Sequence, residues 1–268
     1  MKYVVSFSGG VGSFVAAAVT LIRHGEAATE LVFCDTKVED PDLYRFLDDT
    51  EKVLGVPVKR IADGRTPWEV FRDQRYIGNS RTAPCSKVLK RDRFEKHLID
   101  SGYFRAGSAP AATIVLGIDW TEEHRAIRAA RNWDPWPVWA PLCEPPLLTK
   151  SKILAYLDVY GIRIPSLYGR GFSHNNCRGF CVRAGQAQFA NLLKSDRAYY
   201  LWNEDQEQYT LRTIPTTRPF LRKVTKGVTN YITLREFREM IEGGCDYDRQ
   251  DFGGCGCFVD DSPGGDNP

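Results

Sequence analysis

The chain is 268 residues long, with 43% apolar and 26% charged side chains, the composition of a folded globular protein and not of a disordered one. Its 36 Lys and Arg face 34 Asp and Glu, a net charge of +2, which excludes a histone-like electrostatic binder but allows a local basic patch. It has no run of about 18 apolar residues, and residues 1–7 turn polar too soon for a secretory signal. A cytoplasmic protein with no membrane contact is expected.

The first 62 residues predict alternating strands and helices. Tyr3-Val4-Val5-Ser6-Phe7 is a short apolar run ended by Ser8-Gly9-Gly10, and residues 13–23 form an Ala/Val/Leu/Ile helix stopped by Gly25. Leu31-Val32-Phe33-Cys34 is a second buried strand ending at Asp35. Asp40-Pro41 supplies a cap and first turn for a helix to Leu54, with Gly55 past its end. Residues 56–61 are a third strand. Thr66-Pro67-Trp68-Glu69 has the spacing of a capping box and opens another helix. Residues 113–118 are a fourth strand. Strands apolar on both faces and alternating with helices predict a mostly parallel, doubly wound sheet covered on both sides, a three-layer α/β/α architecture.

The texture changes near residue 135. Pro135, Pro137, Pro141, Pro145 and Pro146 predict an extended connection, and residues 150–160 a helix. A Gly/Asn/Cys-rich stretch covers 169–185, with helical material over 186–208. Thr233-Leu234-Arg235-Glu236 is a second capping box, for a helix that stops at Gly243-Gly244. The expected organisation is an α/β domain over 1–140, a mainly helical, Cys-bearing region over 141–261 packed on it, and a disordered tail over 262–268.

The loop Ser6-Phe7-Ser8-Gly9-Gly10-Val11-Gly12-Ser13 joins the first strand to the first helix. Glycines allow a tight turn and close approach of a ligand. The backbone N–H groups and the helix N-terminus favour an anion, and Ser8 and Ser13 add hydroxyls, so the segment suits phosphate. It is neither a Walker A loop nor a G-x-G-x-x-G fingerprint.

Eight cysteines are present. Cys177-Arg178-Gly179-Phe180-Cys181 and Cys255-Gly256-Cys257 form two close pairs among glycines, enough thiolates for tetrahedral zinc or an iron–sulfur cluster. Redox thiols and inert packing are the other readings. Cys34 and Cys143 read as structural. Cys85 precedes Lys87, Lys90 and Arg91, cations that favour a reactive thiolate. Arg125, Arg128 and Arg131 recur at helical spacing, and Arg218, Arg222, Lys223 and Lys226 form a later basic segment. Trp133, Trp136 and Trp139 read as core anchors before base-stacking platforms. His97 reads as a surface helix residue.

The glycine-rich loop resembles the S-G-G-x-D-S loop of the PP-loop ATP pyrophosphatases, whose fold is called adenine nucleotide alpha hydrolase-like. That superfamily includes the phosphoadenosine phosphosulfate (PAPS) and adenosine phosphosulfate (APS) reductases, tRNA thiolation enzymes and DNA phosphorothioation sulfurtransferases. Cys34-Asp35-Thr36, Pro84-Cys85-Ser86-Lys87 through Lys90, Gly117-Ile118-Asp119-Trp120-Thr121-Glu122-Glu123-His124-Arg125, and Leu148-Thr149-Lys150 with the stretch 164–172 resemble further family segments in the same order. One position departs: Gly12 stands where the loop has Asp.

The resemblance implies an enzyme that binds ATP, or an adenylyl sulfate, with Mg²⁺, and activates a substrate as an adenylate for sulfur transfer. Ser8, Gly9, Gly10, Gly12, Ser13, Asp35, Gly117, Glu122 and Arg125 would hold the nucleotide. Lys90, Cys255 and Cys257 would serve catalysis. Cys177, Cys181, Cys255 and Cys257 would hold a 4Fe–4S cluster or Zn²⁺. The implied partners are an adenine nucleotide, a tRNA or DNA substrate, a sulfur-donor protein and a second copy of the chain. A PAPS or APS reductase releasing sulfite and a non-catalytic nucleotide-binding subunit are the alternatives.

Overall fold

The computed structural model describes residues 1–105, 107–225 and 227–253. Its N-terminal part is a five-stranded, all-parallel sheet in the order β3 (Val58–Ala62), β2 (Thr29–Asp35), β1 (Lys2–Ser6), β4 (Ala112–Val115), β5 (Val138–Trp139). β1 (Lys2–Ser6) leads through the glycine-rich loop into α1 (Val11–His24). β2 (Thr29–Asp35), α2 (Pro41–Leu54), β3 (Val58–Ala62) and α3 (Pro67–Asp73) follow.

The local signals act where the sequence puts them. The Asp40 carboxylate accepts the Asp42 N–H at 2.9 Å, Pro41 fills the first turn, and Gly55 closes α2 at φ 72°. Thr66 and Glu69 make the reciprocal capping box of α3.

A short helical turn α4 (Pro84–Ser86), a π-helical segment (Lys87–Asp92) and α5 (Arg93–Asp100) run together ahead of β4 (Ala112–Val115). α6 (Glu123–Asn132) then leads to β5 (Val138–Trp139). The proline-rich connection therefore contains a strand. Leu116 N–H donates to the Trp139 carbonyl at 2.9 Å, and the flanking prolines are tolerated because β5 is an edge strand.

Period-two alternation splits the strand side chains between two cores. Val5, Leu31 and Phe33 face α1 and α2, packing with Phe14, Leu43 and Phe46. Val4, Val32 and Ile114 face the other layer, with Phe94, Leu98 and the buried Trp133 and Trp136. The three-layer α/β/α class is the one expected from the alternating pattern. α7 (Lys150–Val159) joins the first core through Ile153 and Leu157.

The rest of the chain builds a third core. The short turn α8 (Ser166–Gly169), then α9 (Gln186–Ser195), α10 (Arg197–Thr213) and α11 (Leu234–Glu242) enclose Phe180, Phe189, Tyr200 and Phe237. Trp68 and Phe71 of α3 enter the same core, and Trp68 Nε1 donates to buried Asn203 Oδ1 at 2.9 Å. β6 (Leu221–Thr225) and β7 (Val228–Ile232) form an antiparallel hairpin where the sequence reading saw only a basic segment. Among the described residues no helix is long and apolar enough to cross a membrane.

Candidate functional site

β1 lies at the centre of the strand order, and the chain leaves it toward β2 on one side while β4 lies on the other. Ligands of open α/β sheets bind in the crevice at such a reversal, beyond the carboxyl ends of the strands. A cavity occupies that position. Ser6, Phe7, Ser8 and Ser13 come from the first loop and helix, Phe33 and Cys34 from β2. Gly117, Ile118, Glu122 and Arg125 follow β4, Lys90 comes from the π-helical segment, and His174 and Asn176 from the C-terminal region.

The loop is drawn tight by its own atoms and by distant ones. Gly9 sits at φ 77°, and a Cβ there would meet Leu43 Cγ at 2.9 Å, so only glycine fits. Gly10 caps α1 without a side chain, the first turn of α1 has no acidic residue, and Ser13 Oγ donates to the Gly10 carbonyl at 2.7 Å. From the C-terminal region, buried Asn175 donates from Nδ2 to the Gly9 carbonyl at 2.8 Å, and the Tyr168 hydroxyl accepts the Val11 N–H at 3.3 Å.

Gly12 owes its identity to a backbone contact. A Cβ on Gly12 would lie 2.6 Å from the Gly117 carbonyl oxygen, and one on Gly117 would lie 2.5 Å from the Ser13 nitrogen. The turn after β4 thus rests directly on the first turn of α1. An aspartate at position 12 has no room, so the departure from the family's loop is built into the packing.

Two cations line the cavity. Lys90 is nearly buried, and its Nζ lies 3.9 Å from Glu39 Oε1. Arg125 pairs with Glu122 at 2.5 Å. Asp119 holds the turn before α6 by accepting the Thr121 N–H at 2.9 Å.

Of the expected nucleotide contacts, Ser8, Ser13, Gly117, Glu122 and Arg125 converge on the cavity with Lys90, while Gly9, Gly10 and Gly12 shape its loop. Asp35 points elsewhere: its carboxylate accepts from Lys37 N at 2.8 Å and from the Tyr44 hydroxyl at 3.0 Å.

Cys34 lines the cavity as a neutral thiol, because burial pushes it up to about 12. Cys143 is pushed up to about 11 by burial first and then by Glu123 and Asp119. Both are poor nucleophiles at neutral pH. Cys85 and Cys177 pack against the third core. Cys255 and Cys257 lie outside the described residues. Among the described residues no three His, Cys, Asp or Glu side chains converge as metal ligands.

Trp133 and Trp136 are core anchors as expected. His97 is instead buried, with Nε2 3.0 Å from Glu30 Oε1. The local sequence gives no sign of this because the partner, Glu30, lies on a strand 67 residues away.

Glu39, Asn175 and Asn176 were not anticipated as site residues. Their only sequence signal is nearness to Asp35-Thr36 and to Cys177; which side chain turns inward is set by packing.

Residues 2–108 match the phosphoadenosine phosphosulfate reductase domain family. Over that stretch, less than half of the chain, the protein is similar to this family. The match spans the glycine-rich loop, the β2 end and the Lys90 segment, three of the segments on which the resemblance was drawn. No curated protein matches the chain. One similar solved structure is described as a predicted subunit of tRNA methyltransferase from Methanocaldococcus jannaschii. It shares 20% identity and a TM-score of 0.28 over 61% of this chain. The chain covers 65% of that structure.

Proposed function

We propose that the PAPS reductase-like domain binds an adenine nucleotide in the cavity between the ends of β1 and β4, with its phosphates at the glycine-rich loop, and that the full chain uses it to activate a substrate as an adenylate for sulfur transfer. The observation that carries the reading is that Lys90 and Arg125 line one cavity with Ser8 and Ser13, which flank the start of a helix with no acidic residue in its first turn. That donor set suits phosphate oxygens. Bound ATP would supply the adenylyl group and pyrophosphate as leaving group.

The chain's own residues would act by positioning and charge. Lys90 and Arg125 would neutralise phosphate oxygens, with Glu122 fixing the Arg125 guanidinium. Ser8 and Ser13 would donate hydrogen bonds to the same oxygens. The apolar lining from Phe33 and Ile118 would exclude water from the reacting atoms. For Mg²⁺, the one carboxylate lining the cavity among the described residues is Glu122, already paired with Arg125. For zinc or a 4Fe–4S cluster, Cys177 and Cys181 would be two of the ligands, and the other two proposed ligands, Cys255 and Cys257, lie outside the described residues.

A second reading is favoured by the Gly12–Gly117 contact. The loop cannot carry the aspartate expected to handle Mg-pyrophosphate, which suits an adenylyl sulfate better than ATP and fits a PAPS or APS reductase. Equilibrium dialysis with ATP, PAPS and APS tests binding, and pyrophosphate against sulfite release tests the reaction. Pyrophosphate release that needs an acceptor supports sulfur transfer; sulfite release supports the reductase. Binding with neither product under any partner condition leaves a nucleotide-binding subunit. No binding of any of the three overturns the reading.

A further inference from the structure

The segment after β2 carries a carboxylate that no part of the mechanism above uses. The Glu39 side chain is almost fully buried, at 1% exposure. Oε1 accepts from Thr36 Oγ1 at 2.8 Å and lies 3.9 Å from Lys90 Nζ. Oε2 accepts the backbone N–H of Cys177, and the Cys177 thiol lies 4.0 Å from Oε1. One buried anion therefore joins the end of β2, the cavity lysine and the first cysteine of the C-terminal pair.

Cys177 does not reach that carboxylate in a relaxed backbone. Cys177 and Arg178 have φ of 50° and 51°, and Gly179 continues at 84°. Two successive non-glycine residues in the left-handed region are uncommon and persist where the surroundings over-determine them. Here the bond to Glu39 holds one end of the turn. Arg178 holds the other, bonding Asp196 at 2.7 Å and lying 4.6 Å over the Tyr199 ring. His174 and Asn176, just before the turn, line the cavity.

We propose that Glu39 is a positioning residue that seats the Cys177 turn against the nucleotide cavity and ties it to Lys90, so that phosphate binding and the cysteine segment are coupled. The physical basis is that Lys90 is shared. A phosphate that draws the Lys90 ammonium changes what Glu39 holds, and Glu39 holds the Cys177 backbone directly. A buried carboxylate is stable here only with such charge-assisted partners. The coupling rests on the nucleotide reading above; the seating of Cys177 does not.

The test is hydrogen–deuterium exchange of the peptide spanning residues 174–181 in the full chain, with and without ATP, for wild type, E39Q, E39A and K90M. Without nucleotide, loss of the charge-assisted bond should speed exchange about tenfold in E39A and roughly threefold in E39Q, whose amide oxygen still accepts the Cys177 N–H. With ATP, the wild-type peptide should change its rate, and that response should vanish in all three variants. Wild-type exchange rates in both Glu39 variants overturn the seating role. A wild-type response to ATP in E39Q overturns the coupling. If E39A is unfolded by circular dichroism, E39Q carries both readouts. Wild-type protein that binds no ATP in dialysis sinks the nucleotide reading and with it the coupling, while the nucleotide-free rates still decide the seating.

Discussion

The parallel-sheet region and the cysteine-bearing region are held together by different physics. In the first, strands apolar on both faces sink between helices whose ends are written locally: Gly25 and Gly55 stop α1 and α2, Asp40 and Pro41 start α2, and Thr66 with Glu69 starts α3. In the second, much of the chain over 163–185 is irregular, and its course is set by side chains from elsewhere. Asp42 accepts from Arg163 at 2.9 Å and from Ser166 N at 2.8 Å, Asp40 pairs with Arg170, and Glu39 accepts from Cys177 N. The acidic run that caps α2 is also the clamp on the cysteine region. A loop without regular structure can hold a precise site when a rigid element supplies its partners.

The comparison can be broken first at the cysteine region's core. Phe189 is fully buried and packs against Phe180 and Phe220. F189A should cost roughly 3–5 kcal/mol, read by urea denaturation. A loss confined to tryptophan signals of this core, with the sheet intact, would show that the two regions unfold separately.

Glu207 sharpens the contrast through pH. It is buried in α10, accepts the Leu234 N–H at 2.6 Å at the start of α11, and its other oxygen has no hydrogen-bond partner among the described residues. Burial raises it to about 8 from 4.5. The folded state therefore holds the proton more tightly than the unfolded chain. Its stabilising contribution is complete below about pH 4.5 and is lost as pH rises through about 8. E207Q should be more stable than wild type at pH 8 by up to about 2 kcal/mol, with the difference fading by pH 5. Equal melting temperatures at both pH values would remove this role.

In the sheet region the sensitive contact is backbone on backbone. G117A puts a methyl 2.5 Å from Ser13 N. It should cost about 1–3 kcal/mol and weaken nucleotide binding in dialysis, because it shifts the first turn of α1. N175A removes the donor to Gly9 and should cost about 1 kcal/mol, seen as weaker nucleotide binding with nearly unchanged melting. The smallest effect is kinetic: among the described cysteines, an alkylating probe should reach exposed Cys245 first and Cys34 last, since Cys34 is buried and its thiol is neutral.

The hairpin β6–β7 shows how one legible signal hides another. Gly227, at φ 77°, takes the left-handed turn that a two-residue connection favours. The density of Arg and Lys makes the same stretch read as a basic segment. The Arg218 guanidinium lies 4.0 Å over the Tyr231 ring, within the same substructure. His97 reads as a surface residue yet is buried, because its carboxylate partner, Glu30, is distant in sequence.

By itself the sequence determined the layer architecture, because hydrophobic periodicity, caps and glycine stops act over a few residues and need no distant partner. It also determined the tight turn after β1, because Ser and Gly density between a strand and a helix favours such a turn. Only the tertiary structure decided why position 12 is glycine, since the reason is the Gly117 carbonyl more than 100 residues later. It alone decided that Glu39 turns inward to Lys90 and Cys177 while neighbouring Asp35 turns to Lys37 and Tyr44. Those choices depend on which groups lie within a few ångströms after packing, and no local pattern encodes that distance.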